Sequence, residues 1–206
     1  MLKNIKWIFF DIGSTLSDES ECYRIRFEEI TRNTEITARE FEEKVIQFSR
    51  QNKKGDWAAA EYFGLPMPAW HKEVEKLYPE AENVICVLSS KGYKIGIIAN
   101  QSPGTAERLK KWGVLKYIEI ILASAEEGVS KPDPEIFKRA LCMADCLPEN
   151  AVMIGDRLDN DIAPAKALGM KTIWIKQGYF KYVEQYTEEE KPDCTINNLA
   201  ELLELL

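Results

Sequence analysis

Several kinds of chemistry are excluded by what the chain lacks. Histidine occurs once, at His71, which removes most zinc sites and leaves any serine triad a single candidate base. No GxSxG, GxGxxG or GxxxxGK[ST] stretch occurs, so the nucleophile elbow, the dinucleotide fold and the P-loop have no foothold. The five cysteines (Cys22, Cys86, Cys142, Cys146, Cys194) are scattered, odd in number and without a CxxC. That pattern predicts reduced thiols in a cytoplasmic protein rather than a disulfide framework. No long Lys/Arg block interrupts a formal net charge of −7, which argues against phosphate-backbone binding and so against nucleic acid as a partner. Apolar runs such as IGIIA and IEIILA fall far short of a membrane span. The opening MLKNIKW passes straight into a strand without a signal-peptide core.

What is present is an ordinary globular balance, 45% hydrophobic and 30% charged over 206 residues, enough for one full core with a small second domain. Short apolar runs recur: IKWIFF (5–10), KIGIIA (94–99), YIEIIL (117–122), AVMIG (151–155) and KTIWI (171–175). Each is nearly continuous rather than alternating, as strands buried on both faces of a parallel sheet should be. PGTAERLKKWG, PEIFKRALCMAD and LDNDIAPAKALG lie between them and read as crossover helices, so the pattern predicts a doubly wound α/β sheet. The first interval breaks the rhythm, with some eighty residues between the first two strands. PEAENVICVLSSKG accounts for the end of that interval as a crossover helix. Residues 17–78 are surplus and read as helices: Thr37-Ala38-Arg39-Glu40 is a capping box ahead of Phe41, Val45 and Phe48, and GDWAAAEYFG and PAWHKEVEKLY are two shorter helical stretches. The expected layout is a core of 1–16 and 79–206 with an all-helical cap at 17–78.

Ligands of open α/β sheets bind at the carboxyl ends of the strands, and four such ends carry polar groups: Asp11, Asn100, Lys131 and Asp156, with Asp159 and Asp161 within a turn of the last. Two converging carboxylates would repel each other unless a hard cation sat between them. Mg²⁺ suits such a place because it prefers a few carboxylate oxygens with water and phosphate. Aspartate is a workable nucleophile toward phosphorus, and a lysine beside it would neutralise developing charge. Singly, each residue has a plainer role: Asp11 as a turn residue, Asp156, Asp159 and Asp161 as a turn and helix cap, Lys131 as a loop lysine. Their joint occurrence at successive strand ends favours a site.

FFDIGSTL, IIANQS, SKPDPEIF and IGDRLDNDIAPAKALGM, in that order and spacing, resemble the four motifs of the haloacid dehalogenase-like hydrolase superfamily, and 17–78 occupies the place of its helical cap. The resemblance implies a Rossmann-like core and a Mg²⁺-dependent phosphatase acting on a small phosphorylated metabolite through an aspartyl-phosphate. By the same resemblance, Asp11 would be nucleophile and metal ligand, the Gly13 carbonyl and Asp156 further ligands, and Asp161 a support of the metal shell through water. Lys131 would hold nucleophile and phosphoryl group. Asn100, with backbone N–H groups around Ser14 and Gln101, would contact phosphoryl oxygens.

Two positions depart from the motifs. The phosphatases usually carry a second aspartate two residues after the nucleophile, as general acid and then base, and here that position is Gly13. A missing group of this kind costs typically 10²–10⁴-fold, so an attenuated enzyme is expected. Ala99 stands where Ser or Thr is usual, removing a phosphoryl hydrogen bond. Asp18 and Glu19, which follow at the cap hinge, are candidates to swing in as a substitute acid, but as residues after a strand they read as solvated. The alternative is a catalytically weak or inactive protein that binds metal and a phosphorylated ligand or a partner protein. Trp57, Tyr62, Phe63, Trp70 and His71 are candidates for cap specificity and equally for cap packing.

Overall fold

Trp7, Ile8, Phe9 and Phe10 are all buried, and as β1 (Trp7–Phe10) they form the middle of a parallel sheet. The computed structural model describes residues 2–206. After β1 the chain turns tightly: the backbone N–H groups of Thr15, Leu16 and Ser17 all donate to the Ile12 carbonyl. It then enters the two-residue strand β2 (Ser17–Asp18). Three helices follow, α1 (Ser20–Thr31), α2 (Ala38–Ser49) and α3 (Gly55–Phe63). A 3₁₀ turn at Lys72–Val74 leads to β3 (Lys76–Leu77), which pairs antiparallel with β2 so that Ser17 faces Leu77. The chain therefore leaves and re-enters the sheet layer side by side.

The remainder is βα alternation: α4 (Ala81–Ser90), β4 (Lys94–Ala99), α5 (Thr105–Lys111), β5 (Ile118–Ala123), α6 (Ser124–Glu127), α7 (Pro134–Met143), β6 (Ala151–Gly155), α8 (Ala163–Ala167), β7 (Lys171–Ile175), β8 (Cys194–Ile196) and α9 (Leu202–Leu205). The six-stranded sheet runs β5-β4-β1-β6-β7-β8, parallel throughout. Side chains alternate across it. Ile8, Phe10, Ile95, Ile97, Val152 and Ile154 pack on one face with Val84, Ile85 and Leu88 of α4 and Leu202 of α9. Trp7, Phe9, Ile98 and Met153 pack on the other with Ile136, Phe137 and Ala140 of α7. Helices on both faces make this a doubly wound, Rossmann-like fold.

The helices between β2 and β3 have an apolar cluster of their own: Phe27, Ile30, Phe41, Val45, Ala59 and Ala60. The Thr37/Glu40 capping box starts α2, with the Glu40 N–H donating to Thr37 Oγ1 and the Thr37 N–H to Glu40 Oε2. Phe41 and Val45 are buried there while Phe48 is half-buried. The PAWHKEVEKLY stretch differs from its sequence expectation. It forms the 3₁₀ turn and β3 instead of a helix, because Lys76–Leu77 pairs with the outgoing chain. LDNDIAPAKALG also differs: Leu158–Ile162 is a π-helical turn before α8 begins. Such turns are rare and often lie at functional sites.

Candidate active site

β1 lies between β4 and β6, which the chain reaches by crossovers in opposite directions, so its carboxyl end opens on the switch in strand order. Asp11 is the next residue, tied to the neighbouring strand by its N–H on the Ile154 carbonyl at 2.9 Å. Asp156 takes the equivalent place after β6, and its backbone carbonyl accepts the Trp174 indole N–H at 2.8 Å. Asp161 is brought to the same spot by the π-helical turn. There its Oδ2 accepts the Arg157 N–H at 3.0 Å. Carboxylate oxygens of Asp11, Asp156 and Asp161 lie within 4.8 Å of one another, all three residues buried.

One ammonium enters this cluster. Lys131 Nζ donates to Asp11 Oδ1 at 2.5 Å and to Asp161 Oδ1 at 2.6 Å, with its side chain 1% exposed. Asn100 holds its backbone from both sides: Nδ2 donates to the Lys131 carbonyl at 2.7 Å and Oδ1 accepts the Lys131 N–H at 2.8 Å. Burial alone would lower the lysine's pKa. Asp11 and Asp161 outweigh that and hold it above the ordinary range. Asp161 is pushed up to about 6 by burial, with Lys131 pulling the other way. Asp156 is raised well above the usual carboxylate range by burial, Asp11 and Asp161. Three carboxylates against one cation leave the cluster short of positive charge, and an all-oxygen donor set of this kind fits a hard divalent cation such as Mg²⁺.

The cluster opens into a cavity of about 310 Å³, lined on the sheet side by Asp11, Gly13, Ser14 and Asn100 and from the helical segment by Lys54, Trp57 and Trp70. Arg26 and Asp56 form a buried ion pair in its wall at 2.7 Å, and the Arg26 guanidinium lies 4.3 Å from the Trp70 ring centroid. Burial lowers the pKa of the Lys54 ammonium.

The expected phosphoryl contacts are only partly free. The Asn100 amide is engaged with Lys131, and the Gln101 N–H donates to Ser124 Oγ at 3.1 Å. Gln101 Oε1 takes a short contact from Arg108. Ser14, at φ 52°, donates its hydroxyl to Glu19 Oε2 at 2.7 Å. Gly13 lines the cavity, and Ala99, fully buried, has no hydroxyl to offer there.

Of the cap candidates, Trp57 and Trp70 reach the cavity. Tyr62 is largely exposed, and Phe63 packs on Phe41 and Tyr62. His71 bridges Glu29 and Glu73 at 3.0 and 2.8 Å. The residue that sequence reasoning misjudged is Glu19. Asp18 is half-buried and accepts the Ser20 N–H as a local cap. Glu19 instead turns inward to line the cavity, and burial pushes its carboxyl up to about 8. Its six-residue separation from Gly13 gave no local signal, because the inward turn is made by the β2–α1 junction.

Sheet order, strand-end acids and buried lysine define a doubly wound α/β protein with a buried acidic cluster and its lysine at the carboxyl edge of the sheet. Within that class, the chain belongs to the haloacid dehalogenase-like hydrolase family, matching it over residues 5–169. Glyceraldehyde 3-phosphate phosphatase of Methanocaldococcus jannaschii is 32% identical over 225 aligned positions, covering 98% of this chain and 97% of that protein. The protein of the same name from Pyrococcus furiosus is 41% identical over 135 residues, which is 62% of this chain and 53% of that protein, so the match spans about half the relative's length. Among solved structures, an HAD phosphatase from Thermococcus onnurineus shares the fold at a TM-score of 0.66 and 24% identity, covering 98% of this chain and 97% of that one.

Proposed function

We propose that the protein is a Mg²⁺-dependent phosphatase of small phosphorylated metabolites, with Asp11 as the nucleophile and residues 17–78 as a cap over a core of 1–16 and 79–206. The observation that carries this reading is Lys131, clamped between Asp11 and Asp161 with Asp156 alongside. A buried lysine on a strand-end aspartate leaves one carboxylate oxygen of that aspartate to attack and supplies positive charge where the transferring phosphoryl group would carry negative charge. The phosphatase names of the two relatives support the reaction class.

Asp11, Asp156 and Asp161, with the Gly13 carbonyl, would hold the metal, which when bound screens the clustered carboxylates and the phosphoryl oxygens. Asp11 attacks phosphorus, the bond to the leaving oxygen breaks, and an aspartyl-phosphate forms. Water then attacks phosphorus and releases phosphate, restoring the Asp11 carboxylate. Lys131 stays on the nucleophile through both halves. Ser14, Asn100 and Gln101 line the cavity; Asn100 would reach the phosphoryl oxygens with its second amide N–H while keeping its hold on Lys131, and the Gln101 N–H by giving up Ser124. Residues of the helical segment close the cavity and exclude water.

Gly13 can offer no proton, so turnover of alkyl phosphates, whose leaving oxygen needs one, is attenuated unless another group provides it. Gly13 and Ala99 are also what favour a second reading, a metal- and phosphate-binding protein without turnover. One assay separates the two: hydrolysis of aryl and acyl phosphates with Mg²⁺, by the native chain and by Asp11→Asn. The phosphatase reading expects turnover that Asp11→Asn abolishes. Turnover retained by Asp11→Asn would overturn the role of Asp11, and none in the native chain would favour the binding protein.

A further inference from the structure

Phosphoryl transfer to Asp11 and its reversal by water both move a proton, and the cavity holds few groups free to carry one. Asp56 is engaged by Arg26 and by the Trp57 N–H at 2.9 Å. Asp156 belongs to the acidic cluster. Tyr23 is packed edge-on against Trp70 and Tyr179, with centroids 5.0 and 4.7 Å away. Glu75, behind Trp70, accepts its indole N–H at 2.7 Å and faces Arg108. Glu19 differs from all of these. Among the described residues its carboxylate meets no cation, and its one hydrogen bond comes from the Ser14 hydroxyl.

Glu19 also occupies a telling place. A Cβ built on Gly13 would lie 2.9 Å from Glu19 Oε1 and 3.3 Å from its Cδ. Gly13 does not have a positive φ, so its backbone would accept a side chain. The space of that side chain is taken by the Glu19 carboxyl group. Glycine at 13 leaves that space open to the Glu19 carboxyl, in the cavity that Asp11 also lines.

We infer that Glu19, held by Ser14 in the space beside Gly13, is the general acid–base of this enzyme, delivered from the start of the helical segment instead of from the turn after the nucleophile. The inference rests on the phosphatase reading above. In the first half, Asp11 Oδ attacks phosphorus, the P–O bond to the leaving group breaks with its electron pair on that oxygen, and the Glu19 carboxyl proton passes to it. In the second half, water attacks phosphorus, the P–O bond to Asp11 breaks to restore its carboxylate, and the water proton passes to Glu19.

The test uses the full chain with Mg²⁺ in four forms: native, Glu19→Gln, Gly13→Asp and the double variant Gly13→Asp/Glu19→Ala. Glycerol phosphate reports a leaving group that needs a proton, and para-nitrophenyl phosphate one that does not. Acid-quenched protein mass reports the phosphoenzyme. Glu19→Gln should lose about 10²–10⁴-fold on glycerol phosphate and far less in forming phosphoenzyme from para-nitrophenyl phosphate, so that the phosphoenzyme accumulates. Gly13→Asp alone should displace the flexible Glu19 carboxyl and put its own in the same space, so it should turn over glycerol phosphate faster than Glu19→Gln. The double variant should exceed Glu19→Gln on glycerol phosphate, since the carboxyl returns by the shorter route. Glu19→Gln turning over glycerol phosphate at the native rate would overturn the inference while leaving the Asp11 reading intact. A native chain that neither turns over nor forms phosphoenzyme would overturn both.

Discussion

Replacing Lys131 by methionine should expose the electrostatic debt of the acidic cluster. Methionine keeps much of the length and volume, so packing changes little and the perturbation is the loss of one charge and its hydrogen bonds. In the native protein that ammonium sits at 2.5 and 2.6 Å from Asp11 and Asp161, with side chains 1%, 10% and 1% exposed. Removing one partner of a buried charge pair costs about 3–5 kcal/mol, because the remaining charges are left uncompensated. For a chain of this length each kcal/mol shifts the melting temperature by about 2–4 °C, so a fall of roughly 6–20 °C is expected. The assay is thermal unfolding followed by circular dichroism in EDTA, repeated with excess Mg²⁺. A ligand at a hundred times its Kd stabilises by about 2.7 kcal/mol. Mg²⁺ should stabilise Lys131→Met more than the native chain, since it meets a cluster one positive charge poorer. A variant that melts within about 2 °C of the native chain in EDTA, or gains no more from Mg²⁺, would refute the view that Lys131 neutralises these acids.

Asp156→Ala should abolish Mg²⁺ binding by calorimetry, because it removes one of the three carboxylates that face one another; unchanged affinity would remove Asp156 from the metal site. His71, hydrogen-bonded to Glu29 and Glu73, has its pKa raised in the fold by those partners. Its contribution to stability is therefore complete below the ordinary histidine value of about 6.5 and is lost as pH climbs through the raised one. The native urea midpoint should fall more than that of His71→Gln between about pH 6 and 8, and parallel profiles would show that His71 does not pin the Lys72–Val74 turn to α1.

The sheet and the strand-end acids were legible because each is announced locally. Continuous apolar runs such as WIFF and AVMIG, too short for a helix of the usual length, read as doubly buried strands, which puts the first polar residue after each at the carboxyl edge. Lys131 was legible as a candidate through the motif around it, and its two carboxylate partners came with the strand ends. What stayed hidden depends on pairing and packing across the chain. β2 and β3 are two residues each, too short for any periodicity, and exist because the outgoing and returning segments meet. β8, only Cys194–Ile196, is an edge strand among polar neighbours. Asp161 is aimed by a π-helical turn that helical spacing does not forecast. Glu19 read as a solvated hinge residue because its immediate neighbours Ser17, Asp18, Ser20 and Glu21 are polar; it is held inward by Ser14 and lines the cavity with residues of the helical segment. The absent side chain at Gly13 was visible in the sequence, with Asp18 and Glu19 as candidates to replace it, but not which of the two fills its place.

The central claim is that Asp11 becomes phosphorylated. It is tested most directly by mixing the protein with Mg²⁺ and acetyl phosphate, quenching in acid within milliseconds, and mapping the added mass by peptide mass spectrometry at low pH. The account predicts one phosphoryl group on the peptide carrying Asp11, absent when EDTA replaces Mg²⁺ and absent in Asp11→Asn. Rapid release of phosphate with no phosphoryl group on that peptide, or with the group on another residue, would contradict it.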